Sequence, residues 1–205
     1  MNFNEYTTAF VSGDEVLVRP MCRADLDVMR SWGRHSDPLF VSYNVPALSD
    51  TECDAYWNVL SARAKTRQYA GCLNGVFVAH VIVRKIDLAA ASADLGISSD
   101  PRFLGRRIGR RVIQALASEL AADGFRLLTL DVAGFNQRAI AAYRAAGFRQ
   151  TAIRRIAADD GIDYAGLLGS ESHAWLSDHL EIRAGIPRVD ILTMEMRLDA
   201  ERVCQ

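Results

Sequence analysis

Apolar and polar positions alternate along this chain in two rhythms, and the switches between them mark the elements. "EVLVRPM" (15–21) has strand character and stops at Pro20. "RADLDVMRSWG" (23–33) follows with Leu26, Met29 and Trp32 at helical spacing and Gly33 as a stop. Residues 34–50 read as loop, with two prolines, and 54–64 places Tyr56, Leu60 and Ala64 at i, i+4, i+8 of a second helix. Two strand-like runs, 67–73 and 76–86, flank Asn74-Gly75, the strongest short signal for a hairpin. "AASADLGIS" (90–98) is a further strand, and Gly96 inside it predicts a bulge or a close backbone approach.

The second half is more regular. Ile108, Val112, Leu116 and Leu120 form one helical stripe with Ile113 beside it, ending at Asp123-Gly124. "FRLLTLDVA" (125–133) is a continuous apolar run, as a central strand requires. A helix follows with Asn136 at its N-cap and Gly147 past its end, and 148–156 is again strand-like. "SESHAWLSDHLEIRAGIP" (170–187) reads as helical, with Ser170 near its start and Gly185 and Pro187 beyond its end. In "RVDILTMEMRL" (188–198) Leu192, Met194, Met196 and Leu198 face one way, a strand of period two. A rival register makes "IDYAGLL" (162–168) the last sheet strand; the cleaner alternation favours 188–198. A hairpin followed by a strand–helix–strand unit indicates one mixed α/β sheet with helices on both faces.

Composition narrows the setting. The chain has 205 residues, half of them hydrophobic, enough for one sizeable core. A net charge of −1 argues against a whole-molecule nucleic-acid surface. Cys22, Cys53, Cys72 and Cys204 make no CxxC pair and no metal spacing, and with no signal-like N-terminus they read as reduced thiols of a cytoplasmic protein. No apolar window is long enough to span a membrane. His173 and His179 stand six residues apart, not at metal spacing on one helical face, so no metal is expected.

Against that near-neutral background "FLGRRIGRRVIQAL" (103–116) stands out, with Arg106, Arg107, Arg110 and Arg111 around Gly105 and Gly109 at a helix start. Cations there oppose the helix dipole, at a cost of roughly 0.3–1 kcal/mol each. An anion bound to the exposed N–H groups reverses that cost, and glycines let a phosphate approach. The loop is neither a Walker loop nor the dinucleotide GxGxxG. A solvated basic helix end and a nucleic-acid patch are the other readings of the same residues.

"ADLGISSDPRFLGRRIGRRVIQAL" resembles the central motif of the GCN5-related N-acetyltransferases (GNAT), and "LLTLDVAGFNQRAIAAYRAAGF" resembles their next motif through Asn136, Ala139, Tyr143, Gly147 and Phe148. "VRPMCRADLDVMRSW" and "SDPLFVSYNVP" are similar to the branch acting on ribosomal-protein N-termini, polyamines and some antibiotics. The resemblance implies one acetyltransferase domain over 12–199, a mixed, mostly antiparallel sheet of six or seven strands, and an inserted helical segment at 158–187. That insertion could serve as a substrate lid, a homodimer contact or inert decoration.

The resemblance further implies acetyl-CoA as co-substrate. Its pyrophosphate would sit on Leu104, Gly105, Arg106, Arg107, Ile108, Gly109 and Arg110. Its pantetheine arm would lie along Ile97, Ser98 and Ser99, where strands splay at a Gly96 bulge. Asn136 and Ala139 would line the cofactor, and Tyr143 would protonate the departing thiolate. Two residues depart from the motif. Leu104 stands where the family has Arg or Gln, and Arg107 where it has Gly, which a negative φ at 107 would tolerate.

A protonated amine cannot attack a thioester, so a base is sought: Asp94 first, then Asp131 and His80, with water relay as the alternative. Cys72 lies on an apolar strand, which disfavours a covalent cysteine route. The implied activity is direct acetyl transfer to a primary amine on a protein N-terminus, polyamine, aminoglycoside or other small molecule. A non-catalytic acyl-CoA sensor and a nucleic-acid module using the arginine helix are the alternatives.

Overall fold

The structure, a computed structural model, describes residues 15–158 and 160–198. The expected domain limits at 12 and 199, and Cys204, lie outside the described residues. Strand β1 (Val16–Pro20) leads into helix α1 (Arg23–Arg30), a 3-10 turn (Pro38–Tyr43) and helix α2 (Asp50–Ser61). Strands β2 (Arg67–Leu73), β3 (Val76–Asp87) and β4 (Ser92–Ser99) form a meander. Helix α3 (Ile108–Ala122), strand β5 (Leu127–Ala133), helix α4 (Gln137–Ala146) and strand β6 (Arg149–Ala157) alternate after it. A short helix α5 (Tyr164–Leu168), a 3-10 stretch (Glu171–Asp178) and strands β7 (Leu180–Arg183) and β8 (Ile186–Arg197) complete the chain.

The eight strands make one sheet in the order β1-β2-β3-β4-β5-β8-β6, with β7 also on β8. Only β4 and β5 run parallel, because α3 carries the chain between them. The Asn74-Gly75 turn has φ of 49° and 79°, the left-handed pair that matches hairpin twist. Across β3 and β4, Val81, Val83 and Leu95 point to one face and join Val112, Leu116, Leu120 and Ile140 in the main core. At about 1.5–3 kcal/mol per buried aliphatic side chain, this stripe supplies much of what fixes α3 on the sheet. Gly71 lets α3 close down: a Cβ there would stand 2.7 Å from Val112 Cγ1. The opposite face packs Leu26, Met29, Trp32 and Cys53 on Ala70, Cys72 and Phe77.

Four expectations need correction. Helix α2 starts four residues early, because Ser49 and Glu52 form a capping box. It buries Cys53 and Leu60 while Tyr56 is 44% exposed, so the apolar stripe was misplaced. Of the two readings of Gly96 the bulge fails, since it pairs in register with Ile82, while a close approach is present: a Cβ there would meet the Ile82 side chain, Cγ2, at 2.8 Å. Residues 180–187 are a hairpin rather than a helix end, because Ala184 (φ 52°) and Gly185 (φ 77°) turn the chain and pair Ile182 with Pro187. "IDYAGLL" is largely the helix α5, and β8 is the sheet strand between β5 and β6.

The segment 158–187 is therefore helical only in part. It is also packed rather than hung outside. Tyr164, Leu167, Leu176 and Leu180 enclose Leu39 and Phe135 in a third apolar cluster. Leu39 and Leu176 are fully buried there. The segment thus clamps the 3-10 turn that carries Phe40 and Tyr43.

Candidate active site

β4 and β5 pair only at Ser92–Leu127, Ala93–Leu128 and Asp94–Thr129, and then part. Beyond that point β4 still pairs with β3 on its other side, through Ser99. Every second residue of 95–99 therefore turns its N–H and C=O toward the gap. A cleft of about 710 Å³ occupies the opening.

At one end lies the start of α3. Arg107 is its N-cap with φ 59° and ψ 13°, and among the described residues no side chain makes a cap hydrogen bond there. The expectation of a negative φ at 107 is thus overturned: arginine holds the left-handed conformation that glycine adopts freely, at a cost of about 1–2 kcal/mol. Gly105 is also left-handed, at φ 80°. A Cβ on Gly109 would meet nothing within 4 Å, so its backbone faces open space. Uncapped N–H groups beside such space, with Arg107 and Arg110 in the same lining, suit a phosphate.

Ile97, Ser98, Ser99, Leu104, Gly105, Arg107, Ile108, Gly109, Arg110, Asn136, Ala139 and Tyr143 all line this one cleft. Arg106 does not; its guanidinium stands over the Phe103 ring at 5.5 Å. Asp94 does not either. Its carboxylate, 7% exposed, accepts from Arg84 Nε and lies 3.8 Å from Lys85 Nζ, which makes it a counter-ion rather than a free base.

The other base candidates are held as well. Asp131 accepts from Arg154 Nη1 at 3.1 Å and Nη2 at 2.6 Å and from Thr193 Oγ1 at 2.8 Å. The Arg154 bonds hold it below the usual carboxylate range. His80 Nε2 lies 2.6 Å from Gln68 Oε1, and burial pushes its pKa down to about 4. Both line the cleft, and neither is a strong base at neutral pH.

Tyr143, on α4, is 8% exposed and edge-on to Phe148, with ring centroids 6.0 Å apart. Burial raises its phenol well above the ordinary value, with Tyr43 adding to the push, so it remains a proton donor. Asn136 caps α4 by accepting from Ala139 N at 3.2 Å, and Tyr43 lines the same cleft. Tyr43 was missed in the sequence because it lies in a stretch read as plain loop. Asp37-Pro38 was the available signal: the Asp37 carboxylate accepts from Leu39 N at 2.9 Å and starts the 3-10 turn. His35 and Phe40 join Tyr43 in an aromatic wall.

A seam in a sheet with uncapped helix N–H groups at one end has the shape and polarity that suit a long, phosphate-bearing arm laid between two strands. The acetyltransferase (GNAT) family model matches residues 30–148, more than half of the chain, and the protein belongs to that family. Over 59 residues the chain is 41% identical to the [ribosomal protein bS18]-alanine N-acetyltransferase of Salmonella typhimurium, covering 29% of this chain and 40% of that enzyme. It thus spans about two fifths of the length of the curated relative it matches. A spermidine N-acetyltransferase from Vibrio cholerae, solved with CoA and spermine, superposes with a TM-score of 0.64 at 16% identity, over 89% of this chain and 95% of that one. A Salmonella typhimurium protein assigned as an acetyltransferase and solved with acetyl-CoA gives 0.58 at 16% identity, over 90% and 94%. These structures share the fold. Among the described residues no helix is long and apolar enough to cross a membrane, and no side-chain group could hold a metal ion.

Proposed function

We propose that the protein is an acetyl-CoA-dependent N-acetyltransferase that passes the acetyl group directly to a primary amine. The observation that carries this reading is the parting of β4 from β5 after Asp94 and Thr129, which opens one cleft from the α3 start to Tyr143. When bound, acetyl-CoA supplies an activated thioester.

This chain's residues do the rest. N–H groups at Ile108, Gly109 and Arg110 take the pyrophosphate, and Arg107 and Arg110 add charge. The free backbone edge of Leu95–Ser99 holds the pantetheine arm as an added strand would be held. Tyr143 stays protonated at its hydroxyl and donates to the sulfur as the carbon–sulfur bond breaks. The amine approaches from the face bearing Tyr43, His80 and Arg84. Among the described residues no side chain there is arranged as a strong base, so the acceptor enters with its amine already partly neutral and loses its proton through water. Orientation within the cleft supplies much of the rate.

A thermal-shift titration with acetyl-CoA tests the binding step, since a ligand of the folded state raises Tm. Thiol release in the presence of amines then tests transfer. Absence of any Tm shift at millimolar acetyl-CoA overturns the reading. A shift without thiol release from any amine favours an acyl-CoA sensor.

A further inference from the structure

The acceptor side of the cleft has an unexpected charge. Asp131 is the one carboxylate among its described lining residues, and both its oxygens are occupied by Arg154. Arg84 and Arg138 line the same cleft. A polyamine or aminoglycoside carries several ammonium groups and needs carboxylates to hold them; two guanidinium groups repel it.

Arg84 is the more informative of the two. It pairs with Asp94 across β3 and β4, at the last β4–β5 rung before the strands part. Its position is thus the closed end of the opening. Buried Asp94 engages the Nε edge, and no other residue among those described accepts from its Nη groups. The guanidinium is held from behind while its end remains available to a carboxylate, which it can grip with two parallel bonds. Arg138 stands over the Phe40 ring at 5.6 Å, beside Tyr43 and Tyr56 of the same lining, which gives the wall an apolar, aromatic surface.

Building on the acetyltransferase reading above, we infer that the acceptor is a monoamine carrying a carboxylate a few atoms away, an amino-acid-like compound, with Arg84 as the residue that reads the carboxylate. Asp94 is a positioning residue that fixes Arg84. The charge also assists the chemistry: a guanidinium near the incoming ammonium favours its neutral, attacking form. The amine nitrogen bonds to the acetyl carbon as the carbon–sulfur bond breaks, the sulfur leaves with a proton from Tyr143, the amine's own proton passes to water, and water returns one proton to Tyr143.

The test is thiol release from acetyl-CoA by the full-length protein, with L-phenylalanine, L-methionine and L-glutamate, with the corresponding α-amides, and with spermidine and kanamycin. A free amino acid is expected to be the best substrate, and masking its carboxylate as the amide is expected to lower kcat/KM at least tenfold. Arg84→Gln and Arg84→Lys are expected to raise KM for the amino acid by one to two orders of magnitude with a smaller change in kcat. Equal use of acid and amide, faster turnover of spermidine or kanamycin, or no turnover of any carboxylate-bearing amine overturns the inference. The wild-type acid–amide comparison decides even if the Arg84 variants misfold. Spermidine turnover faster than that of every amino acid, with a normal acetyl-CoA Tm shift, sinks this inference alone; absence of that shift in the wild type sinks the acetyltransferase reading with it.

Discussion

His173 Nε2 lies 3.2 Å from Asp37 Oδ1, and this contact joins the 158–187 segment to the turn that carries Phe40 and Tyr43. Its other ring nitrogen lies 3.1 Å from Ser170 Oγ and 2.9 Å from Ser172 Oγ, so both ends of the imidazole are held. The same Asp37 oxygen caps the turn at Leu39 N. Asp37→Ala therefore removes a cap and a tie together, at a stability cost of about 1 kcal/mol. The expected kinetic outcome is a several-fold higher KM for the amine with acetyl-CoA affinity unchanged, because the α3 start is not touched. Steady-state kinetics with either substrate varied will show which side responds.

Arg107 holds a left-handed backbone without a glycine's freedom. Arg107→Gly is expected to raise folding stability by about 1 kcal/mol, the relief of the αL penalty less the greater freedom of glycine in the unfolded chain. The same change removes a cation from the cleft lining. Acetyl-CoA affinity should therefore fall several-fold, and its salt dependence should weaken. A more stable variant with weaker binding is the expected pair of results, read by urea denaturation and by isothermal calorimetry. Tighter binding would mean that the side chain obstructs the loop.

Tyr143→Phe removes a hydroxyl that makes no hydrogen bond within the described residues and keeps the ring on Phe148. Stability and acetyl-CoA affinity should hold, and kcat should fall by about 10²-fold, the scale of one general acid. Single-turnover thiol release separates this chemical loss from slow product release. An unchanged single-turnover rate would show that another group protonates the thiolate.

How far the sequence reached depended on the range of the signal. Val112, Leu116 and Leu120 announce α3 because a helix repeats its burial within one segment. Asn74-Gly75 announces its hairpin because the turn chemistry is local. The β7–β8 hairpin was misread because Ala184-Gly185 is a weaker turn signal and β7 offers only Leu180 and Ile182 as alternating apolar residues. The loop residues of the cleft were readable from a motif of fixed spacing. Tyr43 was not, because its place in the cleft wall depends on Leu39 being held in a cluster with Leu167 and Leu176, which lie more than a hundred residues away in sequence. The ion pairs of Asp94 and Asp131 were hidden for a related reason. Their partners come from other strands, Arg84 from the neighbouring β3 and Arg154 from β6 across β8, so no stretch of sequence reveals that both carboxylates are already in use.

His80 ties stability to pH with a defined sign. Its ordinary value is 6.5, and burial lowers it to about 4 in the folded protein. Above pH 6.5 both states are neutral and the group has no effect. Between 6.5 and about 4 the unfolded chain takes up a proton that the folded protein refuses, so stability falls as pH drops through this window. At 1.36 kcal/mol per pH unit the loss by pH 5 is about 2 kcal/mol. Urea denaturation at pH 7.5 and pH 5 reads it directly. His80→Gln keeps a polar group beside Gln68 but cannot titrate, so this part of the pH dependence should vanish in the variant. An identical pH slope in wild type and variant would show that His80 exchanges its proton in the folded state as freely as in the unfolded chain.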